Sequence, residues 1–341
     1  MSRNWFTATW PRVAVLATAA VLTITAGGVA VAVADGEEPA KKFDLGVMTY
    51  NVCADSNPKD PGTDRERCSH GKQTKKVSDG LAGKMAKREG LRVVMLQEIC
   101  SADIQRLNKM SGLKKWEFSF AAIRDRGEDK KKDKKLHDRT CSRDSKTKDK
   151  RGEFGVGIGV KTHDVKFRSK NFSDEQSPDG RDQWGSWDVR QAVLCADVKA
   201  WKVSACGTHL TPSHGGDAAD PNQFWKAQKA QVPALRDYAE KGDFDRVVFG
   251  GDLNQAAPDG YGGHGDKSTV ATAYDTHVEC AQSSPESKRD GRGTFQKEDG
   301  SDKKKIDYLF ATKSAGTDCY VPKSHVSFAD HLPVTATFSF G

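Results

Sequence analysis

Arg246-Val247-Val248-Phe249-Gly250-Gly251-Asp252-Leu253-Asn254 is the stretch on which the reading of this chain turns. Its branched and aromatic residues followed by glycine predict a short buried strand over 246–250, ending at two side chains that offer oxygen. An acid or amide at a strand end is ordinarily a turn or cap residue. The same wording recurs, however. Asn51 follows Gly46-Val47-Met48-Thr49-Tyr50, Glu98 follows Val94-Met95-Leu96-Gln97, and His209 follows Ala205-Cys206-Gly207-Thr208. Asp307 lies within Lys305-Ile306-Asp307-Tyr308-Leu309-Phe310, and Asp330-His331 precede the last apolar run. If these strands lie side by side, their polar ends converge at one sheet edge as hard oxygens and two imidazoles.

Outward from that stretch the chain alternates strand-like and helical runs with no fixed repeat. Strands are predicted over 43–52, 93–98, 155–160, 305–311 and 333–340, and a hairpin over 189–198 and 201–209. Helices are predicted over 72–88 and 101–110, and a third runs through Tyr238 from Asp220-Pro221, which reads as an N-cap with proline at the first helical position. Many strands with few helices indicate a layered α/β protein, two packed sheets with helices outside. No linker divides residues 35–341, so one domain is expected there.

The 341 residues include 54 Lys+Arg against 47 Asp+Glu, and 30% of them are charged, which excludes a multi-spanning membrane protein. The length suffices for a full core without disulfides. Residues 13–34 carry no charge, Arg3 and Arg12 precede them, and Ala32-Val33-Ala34 before Asp35 has the small-x-small form of a signal-peptidase site. This reads as a secretory leader cut near Ala34/Asp35. The alternative is an N-terminal membrane anchor, weakened by Gly27-Gly28. After cleavage 52 basic residues face 47 acidic ones.

Eight cysteines in an exported chain point to disulfides. Cys195 and Cys206 lie symmetrically about Ala200-Trp201, so a tight hairpin places them opposite each other. Cys280 with Cys319 is a weaker pairing, and Cys53, Cys68, Cys100 and Cys141 are left unassigned. No Cys-x-x-Cys occurs, which argues against a thiolate metal cluster. Residues 124–151 hold 13 basic and 7 acidic residues around Cys141. They read either as a solvated insertion or as a basic arm for a polyanion.

The chemistry this set of side chains suits is metal-assisted attack on a phosphate ester. A Mg²⁺-like ion takes carboxylate and amide oxygens, and an imidazole oriented by a carboxylate can move a proton near neutral pH. The order and wording of Thr49-Tyr50-Asn51-Val52, Leu96-Gln97-Glu98, Gly207-Thr208-His209-Leu210, Gly250-Gly251-Asp252-Leu253-Asn254, Lys305-Ile306-Asp307-Tyr308 and Asp330-His331-Leu332-Pro333 resemble the successive motifs of the endonuclease/exonuclease/phosphatase (DNase I-like) superfamily. They span almost the whole of residues 35–341, and Gly-Asp-x-Asn and the terminal Asp-His are the distinctive pieces.

The resemblance implies a four-layered α/β sandwich, two mostly antiparallel sheets flanked by helices, and a metal-dependent phosphoric ester hydrolase. It implies Mg²⁺ (or Mn²⁺ or Ca²⁺) held by Glu98, with Asn51 beside it and Asp330 as a further ligand. Asp252 and Asn254 would orient the nucleophilic water and the phosphate. His331 would be the catalytic imidazole, oriented by Asp307. His209 matches the second histidine of the DNase I and sphingomyelinase branches, and Arg190 resembles the arginine that contacts substrate phosphate, though it also reads as an ordinary strand residue. The tyrosine and asparagine pair of the abasic-site repair branch is not found, and Phe154 matches a family tyrosine too loosely to use.

Substrate has to be argued from the rim of the site. The positive charge, residues 124–151 and the exposed-looking Lys303-Lys304-Lys305 favour a secreted nuclease acting on DNA or RNA, because backbone phosphates are held without base specificity. The alternative is a sphingomyelinase or phospholipase C-like enzyme acting on a phospholipid headgroup, with Trp184 and Trp187 reaching a bilayer. A binding protein that has lost catalysis is the third reading. Residues 255–269, with Tyr261 and His264, would border the site. No obligate protein partner is implied and a monomer is expected.

Overall fold

The computed structural model describes residues 42–55, 68, 72–127, 135–178, 188–212, 222–282, 284, 286–296, 302–323 and 329–341. The leader, the Asp220-Pro221 cap, Trp184 and Trp187 lie outside these residues. The first half of the chain forms β1 (Phe43–Asn51), α1 (Thr74–Ala86), β2 (Leu91–Cys100), α2 (Ser101–Lys109), β3 (Glu117–Ala122), and the short β4 (Arg124–Asp125) and β5 (His137–Asp138). There follow β6 (Phe154–Val160), β7 (Lys166–Asn171), β8 (Ala192–Val198), β9 (Val203–His209), α3 (Asn222–Glu240) and β10 (Arg246–Asp252). The rest is α4 (Ala271–Thr276), β11 (His277–Glu279), β12 (Phe295–Gln296), β13 (Asp302–Lys304), β14 (Asp307–Thr312), β15 (Gly316–Tyr320) and β16 (Val334–Phe340).

Two six-stranded sheets result, ordered β15-β16-β1-β2-β6-β3 and β11-β14-β10-β9-β8-β7. Strand alternation explains how they stack, because successive side chains point to opposite faces. Leu45 and Val47 of β1 join Val93, Leu194, Ala205, Val248 and Leu309 in the core between the sheets. Met48 and Tyr50 point the other way, onto Val77 and Leu81 of α1 and Ile104 and Leu107 of α2. On the far sheet Val193, Cys195, Phe249 and Phe310 pack with Val232 and Leu235 of α3. The expected four layers are therefore present, and each predicted strand and helix is found with its ends moved by a few residues.

The hairpin turns through Lys199–Trp201, with Lys202 in the left-handed region at φ 50°, and puts Cys195 opposite Cys206 in register. All eight cysteines are paired, as Cys53–Cys68, Cys100–Cys141, Cys195–Cys206 and Cys280–Cys319. Both expected pairs form, and the four unassigned cysteines pair around the first sheet.

Two expectations about charge need correction. Residues 135–151 are no loose solvated insertion. Cys141 is tied to Cys100, the buried Asp144 accepts from the backbone N–H of Thr74 at 3.0 Å, and Arg151 is fully buried with Nη2 3.1 Å from Asp103 Oδ2. Its Nη1 also donates to the Ala54 carbonyl. A polar network thus anchors a segment that has little apolar surface to bury. Lys305 is likewise buried, with Nζ 2.6 Å from Glu279 Oε2 and 2.9 Å from the Asp290 carbonyl. That inward turn is why β14 starts at Asp307.

Arg151→Ala leaves the buried Asp103 without its cationic partner, so a loss of about 3–5 kcal/mol is expected by urea unfolding. Burial lowers the pKa of His277 from 6.5 to about 4, and Arg236 and Lys313 push it the same way. The half-exposed Glu240 carboxylate, 3.8 Å away, does not offset this. The unfolded chain takes up the proton that the folded ring refuses, so this contribution is intact above pH about 6.5 and is lost as the pH falls towards 4. Unfolding measured across that window should show the fall, and His277→Gln should flatten it relative to the parent.

Candidate active site

β10 lies between β9, its parallel neighbour, and β14, its antiparallel one, and the register sets Asp252 opposite both His209 and Asp307. This row requires strands that approach without side chains between them. A Cβ on Gly251, at φ 137°, would sit 1.9 Å from the Thr208 carbonyl oxygen, and one on Gly250 would sit 2.0 Å from that of Tyr308. Only glycine fits either position, the first for its backbone conformation as well. The two glycines read as the end of a strand are thus the means by which three strand ends draw level.

The other sheet supplies Asn51 and Glu98. Asn51 ends β1 and pairs with Gln97 of β2. At Glu98 the pairing of β2 with β6 is interrupted by a bulge, and its φ is 52°. A non-glycine residue held there costs of order 1–3 kcal/mol and marks a side chain aimed for a purpose. The bulge turns the carboxylate to Asn51, whose Nδ2 donates to Glu98 Oε1 and to Asp252 Oδ2, both at 3.0 Å. Asn51 Oδ1 accepts from the backbone N–H of Cys53 at 3.1 Å, which fixes the amide's orientation.

His331 completes the group. Its Nδ1 lies 2.8 Å from Asp307 Oδ2 and its Nε2 3.6 Å from Asp252 Oδ2. His209 Nε2 is 3.4 Å from the same Asp252 oxygen. Asp252 Oδ1 accepts from the backbone N–H of Asn254, which is itself at φ 54° with Nδ2 donating to the Leu210 carbonyl. Asp252, Asp307, Asp330 and both imidazoles are buried, and Glu98 is partly exposed.

Burial raises the pKa of Asp252, the neighbouring Asp307 raises it further, and His331, His209 and the Asn51 amide act against both. Glu98 is raised by burial and by Asp330, with His209 opposing. Asp330 is raised by burial and by the charges of Asp252 and Asp307, against His331. Burial lowers His331, but Asp307, Asp252 and Asp330 together hold it well above its ordinary value. Four carboxylates therefore share this edge with two imidazoles, an excess of negative charge.

Ligand atoms of Asp252, Asp307 and His331 lie within 4.8 Å of one another, but these groups already bond to each other and to Asn51 and Asn254. Asp330's charge raises Glu98, and the charges of Asp252 and Asp307 raise Asp330, the condition a divalent ion relieves.

Seven of the residues read from the sequence are brought together by contacts or direct charge interaction: Asn51, Glu98, His209, Asp252, Asp307, Asp330 and His331. Asn254 joins through its backbone. Arg190 does not. It precedes β8 at the same sheet edge, but it is buried and its Nη2 pairs with Asp174 Oδ1 at 2.6 Å. No contact between its guanidinium and the cluster occurs among the described residues.

Sequence reasoning missed Thr294. Its buried hydroxyl accepts the backbone N–H groups of Ile306 and Asp307 at 3.0 and 3.1 Å. Its carbonyl accepts from the Leu332 N–H at 2.7 Å, and the Asp330 carbonyl accepts from Gln296 N–H at 2.9 Å. Phe295 bridges His331 and its ring lies tilted against the imidazole, with centroids 5.2 Å apart. The segment 294–296 thereby ties the Asp307 strand to the Asp330-His331 turn. Gly293-Thr294-Phe295 belongs to no apolar run, so no local pattern announces it.

No family model matches the sequence. No curated protein matches it either. Solved structures share its fold. An endonuclease/exonuclease/phosphatase family protein from Bacteroides thetaiotaomicron is similar with a TM-score of 0.54 at 13% identity, over 88% of this chain and 99% of its own. An endonuclease/exonuclease/phosphatase from Beutenbergia cavernae gives 0.53 at 18% identity, over 87% and 72%. The human nocturnin catalytic domain, solved with a bound sulfate anion, gives 0.52 at 13% identity, over 88% and 97%. The chain therefore has the endonuclease/exonuclease/phosphatase, DNase I-like, fold, the one that the motif resemblance implied.

Thr294→Val keeps the branched shape and removes the acceptor, leaving two buried N–H groups unpaired. A loss of about 1–3 kcal/mol is expected in urea unfolding, largely restored by Thr294→Ser. Equal stability of parent and valine variant would mean that the hydroxyl does not support the Asp307 strand.

Proposed function

We propose that the protein is a secreted, divalent-metal-dependent phosphodiesterase that hydrolyses nucleic acid. One observation carries the reading: an amide, two imidazoles and four carboxylates meet where the strand ends of both sheets converge, in a fold shared with endonuclease/exonuclease/phosphatase proteins. The excess negative charge fits a resident cation, with Glu98 and Asp330 as its carboxylate ligands and Asn51 beside them. When bound, a Mg²⁺-type ion offsets charge on the phosphoryl oxygens.

The chain's own groups do the rest. Asp252, held by Asn51 and Asn254, orients the attacking water with Oδ2. Asn254 assists in placing the phosphate. Asp307 fixes the tautomer of His331 and stabilises its imidazolium, so that His331 Nε2 faces the reacting phosphate with a proton to share. His209 Nε2, on the other side of Asp252, donates a proton to the leaving oxygen as the ester P–O bond breaks, and Asp252 Oδ2 takes the proton of the attacking water as its oxygen bonds to phosphorus. Arg190 is left out of this scheme because its Nη2 pairs with Asp174 and its guanidinium makes no contact with the cluster among the described residues.

Nucleic acid is favoured as substrate by the excess of basic residues that remains after cleavage, 52 against 47, concentrated partly in residues 124–151. The sulfate bound by the nocturnin domain accords with an anion site in this fold. Export is favoured by four disulfides, which persist in oxidising compartments, and by the uncharged run and small-x-small pattern read in residues 13–34. No helix among the described residues is long and apolar enough to cross a membrane.

The purified protein should nick supercoiled plasmid with Mg²⁺ and stop in EDTA. His331→Ala, checked for folding by circular dichroism, is expected to lower the rate by about 10²–10⁴-fold, and Asp307→Asn to act in the same direction. Sphingomyelin vesicles serve as the parallel substrate. Headgroup release with intact plasmid would overturn the nuclease reading, and normal turnover by His331→Ala would overturn the site.

A further inference from the structure

A separate cavity, lined by charged and apolar groups, lies where α1 packs on the first sheet. It is a groove of about 670 Å³ between the C-terminal turn of α1 and the ends of β15 and β16. Lys84 in the last turn of α1, its C-cap Lys87 and the following Arg88 form one wall. Tyr320 and Thr335 form the other. Cations near a helix C-terminus are favoured by its dipole, so their presence alone requires no ligand.

Three further features do point to one. Lys84 is only partly exposed, and burial together with Lys87 and Arg88 lowers its pKa to about 8, so the charges gathered there oppose one another. Tyr320 is 48% exposed, one of two large aromatic side chains so placed among the described residues, and the Arg88 guanidinium lies over its ring, 4.1 Å from the centroid. Thr335 Oγ1 is buried and has no hydrogen-bond partner. Asp79 also lines the groove, but Lys75 and Arg106 already pair with it.

We propose that this groove is a binding site for a phosphate-bearing anion, held by Lys84, Lys87 and Arg88 with Thr335 donating to a phosphate oxygen and Tyr320 offering a face for an attached ring. A phosphate oxyanion accepts from several cations at once, and an aromatic beside them suits a nucleotide base. The site also borders the proposed catalytic edge. Lys84 Nζ lies 5.3 Å from the ring of Tyr50, the residue before Asn51, and Pro333, two residues past His331, lines the groove. An occupant would sit one side chain behind that edge.

Binding is tested in EDTA, where no turnover is needed, so the result is independent of the hydrolase reading. The full-length chain is titrated with inorganic pyrophosphate and, separately, with a short oligothymidylate, followed by ¹H–¹⁵N NMR. Amide shifts are expected at Lys87, Arg88 and Tyr320 with either probe, whether or not the oligothymidylate also shifts Asn51 or Asp252. The double variant Lys84→Gln/Lys87→Gln should weaken binding about tenfold or more, Lys84→Arg/Lys87→Arg should retain it, and Lys75→Gln should bind as the parent does. Tyr320→Ala should weaken the oligonucleotide and leave pyrophosphate unchanged. Binding of both probes identifies the phosphate group as the determinant, and binding of the oligonucleotide alone identifies a nucleic-acid strand. Failure of both to bind, shifts confined to the catalytic edge, or a glutamine double variant that binds like the parent would overturn the site.

Discussion

Asp252 Oδ2 accepts from Asn51 Nδ2 at 3.0 Å while two histidine Nε2 atoms face it at 3.4 and 3.6 Å. Asn51 belongs to one sheet and Asp252 to the other, so this hydrogen bond joins the two layers at the edge where the cluster forms. A buried carboxylate needs such partners, since each one stabilises the ionised form against loss of water. The position of every other group follows from it. Glu98 is turned to Asn51 by a bulge, His209 arrives by parallel register, and His331 is held by Asp307, which is in register with Asp252.

The same edge shows why the surroundings are so constrained. Two glycines let β10 lie against its neighbours, Thr294 satisfies two backbone donors beside Asp307, and a short ladder from 294 to 296 carries the Asp330-His331 turn. Disulfides close the periphery, with Cys53 directly contributing the N–H that orients Asn51. A cluster with this much like charge stays assembled because its backbone supports are saturated, so there is little slack for its members to separate.

The polar segments outside the core behave similarly. Arg151 and Lys305, which composition alone assigns to solvated charge runs, are buried in ion pairs with Asp103 and Glu279. Each ties a loop to an element distant in sequence. Charge density in a window does not distinguish a lysine facing water from one facing a carboxylate that folding brings to it.

Apolar runs ending in Asn51, Glu98, His209, Asp252 and Asp307 were legible in the chain because strand periodicity and glycine punctuation are local properties. So was the Cys195–Cys206 pair, which depends only on hairpin symmetry. The sequence by itself therefore determined the layered α/β class, the strand ends and the residue types that meet there. Tertiary structure alone decided that Arg190 turns to Asp174, that Thr294 underpins Asp307, and that cysteines 53, 68, 100 and 141 pair as they do. These outcomes depend on which distant segments share a register or a loop, and pairing between segments far apart in the chain leaves no periodic trace in either one.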